Sequence, residues 1–238
     1  MKEAVEVYRQ LIGLEPNKAK IHETLADLLS SLNELDQATA EHREAVRLEP
    51  DNGYTRNKLG CDLFRKQDFQ GALDEYLRAL TQLPGDAAIQ SNLADALLKL
   101  GHVDSAIAAY RKSVGLDPRE PYHHNRLAFA LHAKGDLEAA TAELREALRR
   151  DANLPALHAN LANALGLNED LNGAIEHYRE WARLEPNGPA PHSFLGTVLE
   201  TKGDRHGALQ EFLQAYTLDP ANPQYREDYQ RLLKELRQ

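Results

Sequence analysis

The sequence is poor in cysteine and in aromatic residues, and it lacks an excess of positive charge. Its 238 residues include one cysteine, Cys61, so no internal disulfide can form and the redox and zinc sites built on CxxC pairs are excluded. Lys and Arg number 28 against 37 Asp and Glu, and the net charge of −9 argues against general nucleic-acid binding. Aromatic residues make up 6%, so a core must rest on aliphatic side chains.

Long apolar runs are also missing. No window approaches the roughly 18 apolar residues that a membrane-spanning helix needs. The first residues, MKEAVEVYRQLIGLEP, are interrupted by charges and lack the apolar block of a signal peptide. These absences predict a cytoplasmic protein that has neither nucleic acid nor membrane as a partner.

An internal repeat dominates what is present. A proline recurs at a spacing of 34 residues or twice that value, at Pro16, Pro50, Pro84, Pro118, Pro186 and Pro220. This period predicts six repeats, at 19–52, 53–86, 87–120, 121–154, 155–188 and 189–222. Residues 1–18 then match the second half of a partial repeat, and residues 223–238 match a C-terminal capping helix.

Within this frame, each repeat has apolar residues at fixed positions. Positions 7 and 11 are always Leu, position 8 is Ala or Gly, and position 20 is Ala. Position 24 is mostly large: His42, Tyr76, Tyr110, Leu144, Tyr178 and Phe212. These spacings are typical of amphipathic helices, so each repeat is predicted to be two helices, here named helix A and helix B. A single pair cannot bury its apolar face, so the pairs must stack into an all-α solenoid.

The period, the Leu-small pair, the Ala, the large residue at position 24 and the closing proline together resemble the tetratricopeptide repeat over essentially the whole chain. The resemblance implies a right-handed α-solenoid of helix-turn-helix repeats whose concave groove holds ligands. One feature departs from that family. The large aromatic residue expected early in helix A is replaced by His22, Arg56, Gln90, His124, His158 and His192.

The N-terminal segment 1–18 raises a separate question, because its helix A partner is missing. Either the sequence is a piece of a longer protein, or this edge pairs with a second copy of the chain. We favour the first interpretation.

Motifs for catalysis, cofactors or metals are not found. There is no GxxxxGK[ST], GxGxxG or HExxH, and Cys61 is expected to be an ordinary half-buried thiol. The stretch from Asn168 to Gly173 begins like a calcium-binding loop, but Arg179 stands where a Glu is required. The histidines at position 4 lie on successive helices about 8–10 Å apart, too far for one metal ion. We therefore predict that the chain is not an enzyme and has no catalytic residue, metal or cofactor.

A second stripe of helix A, at positions 2, 6, 9 and 13, lines the groove that the resemblance implies. Asparagine is mildly unfavourable inside a helix, so its recurrence on this stripe suggests hydrogen bonding to an extended peptide backbone. The alternative is that these residues are simply solvated. The predicted peptide-binding residues are Tyr54, Lys58, Asn92, Asp95, Tyr122, Arg126, Phe129, Asn160, Asn163 and Phe194.

Charge along the groove is uneven. Residues 53–66 carry a net charge of +3 and residues 121–134 of +2, within an acidic chain. A basic mid-groove would attract an acidic segment or a C-terminal carboxylate. Reversing Lys58 and Arg126 to glutamate is then expected to weaken such a ligand and to leave helicity unchanged.

The sequence therefore predicts a scaffold or adaptor that binds other proteins or peptides, and three alternatives stay open. The stretches 92–97 and 160–165 resemble the Asn-lined repeats of O-linked N-acetylglucosamine transferases, which implies the substrate-recruiting arm of a larger enzyme. Lys58, Asn92 and Arg126 partly resemble the carboxylate clamp of chaperone-tail receptors. Self-assembly through the N-terminal edge is the third.

A substitution at Leu161, which is at position 7 of its repeat, tests which stripe of helix A is buried. Positions 7, 8 and 11 form the predicted packing stripe, and positions 2, 6, 9 and 13 form the groove stripe. The substitution Leu161→Ala is expected to lower the free energy of unfolding by about 2–5 kcal/mol, as truncation of a buried Leu does. Urea unfolding followed by circular dichroism measures this value. A negligible change would mean that the packing and groove stripes are assigned the wrong way round.

Overall fold

The computed structural model describes residues 2–237. Within these residues the chain forms fourteen α-helices and no strand, which confirms the predicted all-α fold. Met1 and Gln238 are the outer residues of the predicted segments 1–18 and 223–238, and both lie outside the described residues.

The helices lie in consecutive pairs along the chain. The first and last helices are α1 (Lys2–Leu14) and α14 (Pro223–Glu235). Between them lie α2 (Ala19–Ser31) and α3 (Leu35–Leu48), α4 (Gly53–Arg65) and α5 (Phe69–Gln82), α6 (Ala87–Lys99) and α7 (Val103–Leu116), α8 (Pro121–Lys134) and α9 (Leu137–Arg150), α10 (Pro155–Leu167) and α11 (Leu171–Leu184), and α12 (Pro189–Lys202) and α13 (Arg205–Leu218). The helices form two compact units, Met1–Pro118 with α1 to α7 and Arg119–Gln238 with α8 to α14.

The turn between helix A and helix B has the same conformation in each repeat. Position 15 has a positive φ, between 62° and 93°, at Asn33, Gln67, Gly101, Gly135, Glu169 and Gly203. Glycine adopts this left-handed conformation without a steric penalty, which explains the three glycines. An aspartate then caps helix B in four repeats. One of them, Asp170, accepts the Gly173 N–H at 3.0 Å, so the stretch that begins like a calcium-binding loop forms a helix cap.

The residue at position 24 of helix B packs against the small residue at position 8 of helix A. Tyr76, Tyr110, Tyr178 and Phe212 are all buried. A Cβ atom added at Gly60 would lie 2.5 Å from the Tyr76 ring, and one at Gly196 would lie 2.7 Å from the Phe212 ring. The small residue is therefore what allows the ring to enter between the two helices.

Position 4 of helix A, where the family's early aromatic residue is missing, forms a polar link to position 23 of helix B in four repeats. The Nδ1 atoms of His22, His124 and His192 lie 2.6–2.7 Å from a glutamate oxygen. Arg56 donates to Glu75 at 3.0 Å in the same way. These side chains join the two helices of a repeat.

The fifth repeat replaces this link by a pair of histidines. His158 Nε2 lies 3.0 Å from the Ala152 carbonyl and must donate to it. In a neutral ring His158 Nδ1 then accepts a hydrogen from His177 Nδ1, 3.1 Å away. Burial lowers the pKa of His177, and the nearby His158 lowers it further.

The substitution His177→Glu is expected to reduce the acid sensitivity of the protein. A lowered pKa means that folding favours neutral His177, so its contribution is complete above the unfolded pKa of about 6.5 and is lost as the pH falls below it. Glutamate would restore the His–Glu link that the first, fourth and sixth repeats have. Thermal unfolding at pH 7.5 and 5.5 should show a smaller drop in midpoint for this variant. Because His177 is half-exposed, the pH-dependent changes in the free energy of unfolding of the two proteins should differ by less than about 1 kcal/mol.

The matched control is His206→Glu, the same substitution at an exposed histidine of α13. It should leave the pH dependence closer to that of the wild type. Equal pH dependence in the wild type and in His177→Glu would contradict the role given to the histidine pair.

Candidate functional site

In each unit the candidate site is the surface formed by positions 2, 5, 6, 9, 12 and 13 of the A helices, here called the A-face. In residues 2–237 four Tyr or Phe side chains are exposed, and all four lie on it. The exposed fraction is 60% for Tyr54, 41% for Tyr122, 62% for Phe129 and 46% for Phe194. Each of these is a residue predicted from the groove stripe.

Lys58 is bound by carboxylates of the preceding repeat. Its Nζ donates to Glu23 at 2.6 Å and to Asp27 at 2.7 Å, and its side chain is 36% exposed. Burial alone would lower the pKa of Lys58, but the bonds to Asp27 and Glu23 outweigh it and raise the pKa. The cation predicted to attract an acidic ligand is thus neutralised within the protein.

Other basic side chains of residues 53–66 are compensated in a similar way. Arg56 pairs with Glu75, and Lys66 pairs with Asp36 at 2.5 Å. The predicted basic mid-groove is therefore much reduced in residues 2–118.

The asparagines of the A-face bond to each other across neighbouring repeats. Asn92 Nδ2 donates to Asn57 Oδ1 at 3.0 Å in the first unit, and Asn160 Nδ2 donates to Asn125 Oδ1 at 2.8 Å in the second. Asn92 Nδ2 also donates to the Cys61 sulfur at 3.7 Å. The Asn160 bond uses one of the two hydrogens of its amide, so the second hydrogen of Asn160 remains for a ligand. Asn57 and Asn125 at position 5 were not predicted, although they lie next to the predicted position 6.

Position 9 of helix A receives the phenol of position 24. Tyr178 donates to Asn163 Oδ1 at 2.5 Å, Tyr110 donates to Asp95, and the Tyr76 hydroxyl lies 3.6 Å from the Cys61 sulfur. The side chains of the predicted site residues Asp95 and Asn163 are therefore oriented by hydrogen bonds from buried tyrosines of helix B.

Aromatic and cationic side chains form two further contacts in the second unit. The Arg126 guanidinium lies 4.8 Å from the centre of the Tyr122 ring. Phe194 stacks on Tyr178 with ring centres 5.8 Å apart, and Trp181 lies at the same distance from Phe194. Trp181 was not predicted as a site residue. The sequence could have pointed to it, because position 27 is Ala or Ser in the other repeats.

A pocket of about 160 Å³ opens on the A-face of the second unit, between α8 and α10. Its floor consists of Ala128, Ala140, Leu144 and Ala164. The predicted residues Phe129, Asn160 and Asn163 lie at its rim, so the structure brings these three together.

A hydroxyl, an imidazole and a carboxylate meet below the A-face of the first unit, but not in an arrangement suited to catalysis. Ser30 donates to Asp62 at 2.6 Å, and His42 Nδ1 bonds the same carboxylate at 2.7 Å. Because the hydroxyl is bonded to the carboxylate, the imidazole is not placed to take its proton. Burial raises the pKa of the Cys61 thiol, which disfavours a nucleophilic thiolate.

Two family models describe this architecture. One tetratricopeptide repeat model matches residues 57–121 and 92–155, and a second matches residues 19–52. Together they cover more than half of the sequence. The chain belongs to the tetratricopeptide repeat family. This confirms the resemblance to the family that was inferred from the 34-residue period.

Solved structures share the tetratricopeptide fold. A chain of the APC/C hetero-tetramer Cut9–Hcn1 matches 98% of this chain with a TM-score of 0.72 and 18% identity, and this chain spans 46% of that one. PilW, a type IV pilus biogenesis factor, matches 90% of this chain and 98% of its own, with a TM-score of 0.77 and 19% identity. YrrB, a TPR protein with an unusual peptide-binding site, matches 76% and 94%, with a TM-score of 0.59 and 21% identity. These similarities confirm the predicted fold class.

The sequence matches none of the curated proteins. Within residues 2–237 no helix has the length and apolar character needed to cross a membrane, and no three His, Cys, Asp or Glu side chains are grouped as a metal site would require.

The ion pairs of Lys58 change the expected effect of reversing its charge. Lys58→Glu would place a third carboxylate beside Glu23 and Asp27, so it should lower the free energy of unfolding by about 1–3 kcal/mol. Urea unfolding compares it with Lys99→Glu, a charge reversal at an exposed A-face lysine of the same unit. Equal stability of the two variants would contradict the structural role of Lys58.

Proposed function

We propose that the A-face of each unit binds extended segments of other proteins and that the chain acts as a scaffold or adaptor. The observation that carries this proposal is the location of the exposed aromatic side chains, all four of which lie on the A-face. Aromatic residues are enriched at protein interfaces and supply much of their binding energy. YrrB, which shares the fold, is described as having a peptide-binding site, and this supports the same type of ligand here.

The A-face amides supply the polar part of the recognition. A peptide backbone offers one donor and one acceptor per residue, and an extended segment presents them at regular intervals. Asn92 and Asn160 occupy equivalent positions in the two units, and each is oriented by a bond to the preceding repeat. Fixed amides lose little conformational entropy when a ligand binds.

Uncharged segments fit this surface better than acidic ones. A chaperone-tail receptor needs a cation to hold a carboxylate, whereas Lys58 is already bonded to Glu23 and Asp27. Recognition of an acidic or C-terminal ligand through Lys58 is therefore weakly supported, and our proposal centres on neutral, partly apolar segments.

We further propose that the chain is not an enzyme and that it is a cytoplasmic protein. The chain itself catalyses no reaction, which is supported by the position of Ser30 on the carboxylate of Asp62 rather than on an imidazole. The chain acts in the cytoplasm, as predicted from the sequence.

The substrate-recruiting arm of a larger enzyme remains a second candidate. It is favoured by the Asn92–Asn57 and Asn160–Asn125 bonds, since these residues belong to the Asn-lined pattern that resembles O-linked N-acetylglucosamine transferases. The length of the native open reading frame separates the two candidates.

Self-assembly predicts a molecular mass that rises with concentration in sedimentation equilibrium.

Selection from a phage-displayed library of random peptides tests the proposed function. The full chain is immobilised, and enriched sequences are then measured as labelled synthetic peptides by fluorescence anisotropy. We expect enrichment, and we expect Asn125→Ala combined with Asn160→Ala to weaken binding by about tenfold or more, corresponding to the loss of about two hydrogen bonds.

The control is Asn172→Ala, which removes an exposed asparagine from helix B of the same unit. It should leave the affinity unchanged. Failure of the wild type to enrich any sequence, or equal affinities for all three proteins, would overturn the proposal that the A-face binds peptides.

A further inference from the structure

The pocket on the A-face of the second unit points to a defined ligand group. Resting on the proposed function, we propose that it receives one aliphatic side chain, Leu, Ile or Met, from the bound protein segment. The backbone on either side of that side chain would lie along the amides at the rim.

The pocket exists because one repeat lacks the ring at position 24. In the other repeats of the second unit this place is filled by Tyr178 and Phe212, and both are buried. Leu144 is shorter, so the volume that a ring would occupy is left open toward the A-face. Position 9 changes with it: Asn163 accepts the Tyr178 hydroxyl, whereas the fourth repeat has the apolar Phe129, which needs no such partner.

The size of the pocket suits a single medium-sized apolar group. Its volume is about 160 Å³. Apolar cavities of about 150 Å³ in another protein stay dry and bind a molecule the size of benzene. A Gly or Ala side chain would leave most of the pocket empty, and the indole of Trp is larger than benzene.

The lining favours a neutral ligand. The floor is formed by Ala128, Ala140, Leu144 and Ala164. None of the lining residues is Asp, Glu, Lys or Arg, and His132 is the one lining residue with a titratable side chain. A carboxylate or ammonium group placed there would lose its hydration without gaining a partner of opposite charge. The exposed ring of Phe129 at the rim would be covered by an entering aliphatic side chain.

The amides at the rim are oriented as donors. Asn163 Oδ1 accepts from Tyr178 and Asn125 Oδ1 accepts from Asn160, so the NH₂ groups of Asn163 and Asn125 are left to donate. Donors beside an apolar pocket match the backbone carbonyls on either side of a buried side chain. The pocket and its rim therefore recognise two parts of the same ligand residue.

The test is a methyl NMR titration of the full chain with N-acetyl-L-leucine methylamide, which has one aliphatic side chain between two peptide groups. The wild type should show saturable shifts of the Leu144 and Ala164 methyl signals. The glycine and aspartate analogues should produce little change. Leu144→Phe, which fills the pocket as Phe212 fills its own repeat, should weaken binding of the leucine compound by at least about tenfold.

The matched control is Leu213→Phe, the same substitution at an exposed leucine of α13 outside the pocket. It should bind like the wild type. Leu144→Ala enlarges the pocket and should shift the preference from the leucine to the tryptophan analogue, so the proposal stays testable if Leu144→Phe fails to fold. No shift at Leu144 and Ala164, or equal binding by Leu144→Phe and Leu213→Phe, would overturn the pocket assignment.

The two proposals fail separately. Peptide enrichment in the phage selection without leucine binding in the pocket would leave the A-face as the binding surface and remove the pocket from it. Leucine binding without peptide enrichment would support the pocket as a binding site and contradict the binding of extended segments along the A-face.

Discussion

The contact between position 24 of helix B and the small residue at position 8 of helix A is the constraint on which the rest of the structure depends. Where position 8 is glycine, an added Cβ atom would lie 2.5 Å from the Tyr76 ring and 2.7 Å from the Phe212 ring. The ring therefore reaches past helix A toward the A-face. Where the ring is a tyrosine, its hydroxyl bonds the residue at position 9, as Tyr178 bonds Asn163. Core packing and the orientation of surface amides thus have the same origin.

Two repeats depart from this contact, with opposite consequences. In the first repeat the ring is replaced by His42, which bonds the buried Asp62 at 2.7 Å, and polar groups fill the space. In the fourth repeat it is replaced by Leu144, which has no polar atom, and a pocket remains. Position 24 is therefore occupied by an aromatic ring, by a histidine hydrogen-bonded to a buried carboxylate, or by a shorter side chain that leaves room for a ligand. A solenoid can vary in this way because each repeat contacts only its neighbours.

Much of the fold was predictable from the sequence, because it depends on period and on columns of similar residues. The 34-residue spacing and the fixed Leu and Ala positions specify helix pairs, and Leu161 is fully buried as its column predicts. The pairing of Lys58 was not predictable in the same way, because Glu23 and Asp27 precede it by 35 and 31 residues. Such contacts depend on how neighbouring repeats pack. The sequence shows that Leu144 differs from the large rings at position 24 of most other repeats. The pocket itself was not predictable, because it also depends on which alanines pack around Leu144 in the folded chain.

A crystal pressurised with xenon tests the central claim most directly, because xenon occupies apolar cavities without needing a peptide. Our account predicts a xenon peak beside Leu144, between Ala128 and Ala164, and none at the equivalent places beside Tyr178 and Phe212. Absence of xenon beside Leu144, or equal occupancy at all three places, would contradict the claim that the missing ring opens a binding pocket on the A-face.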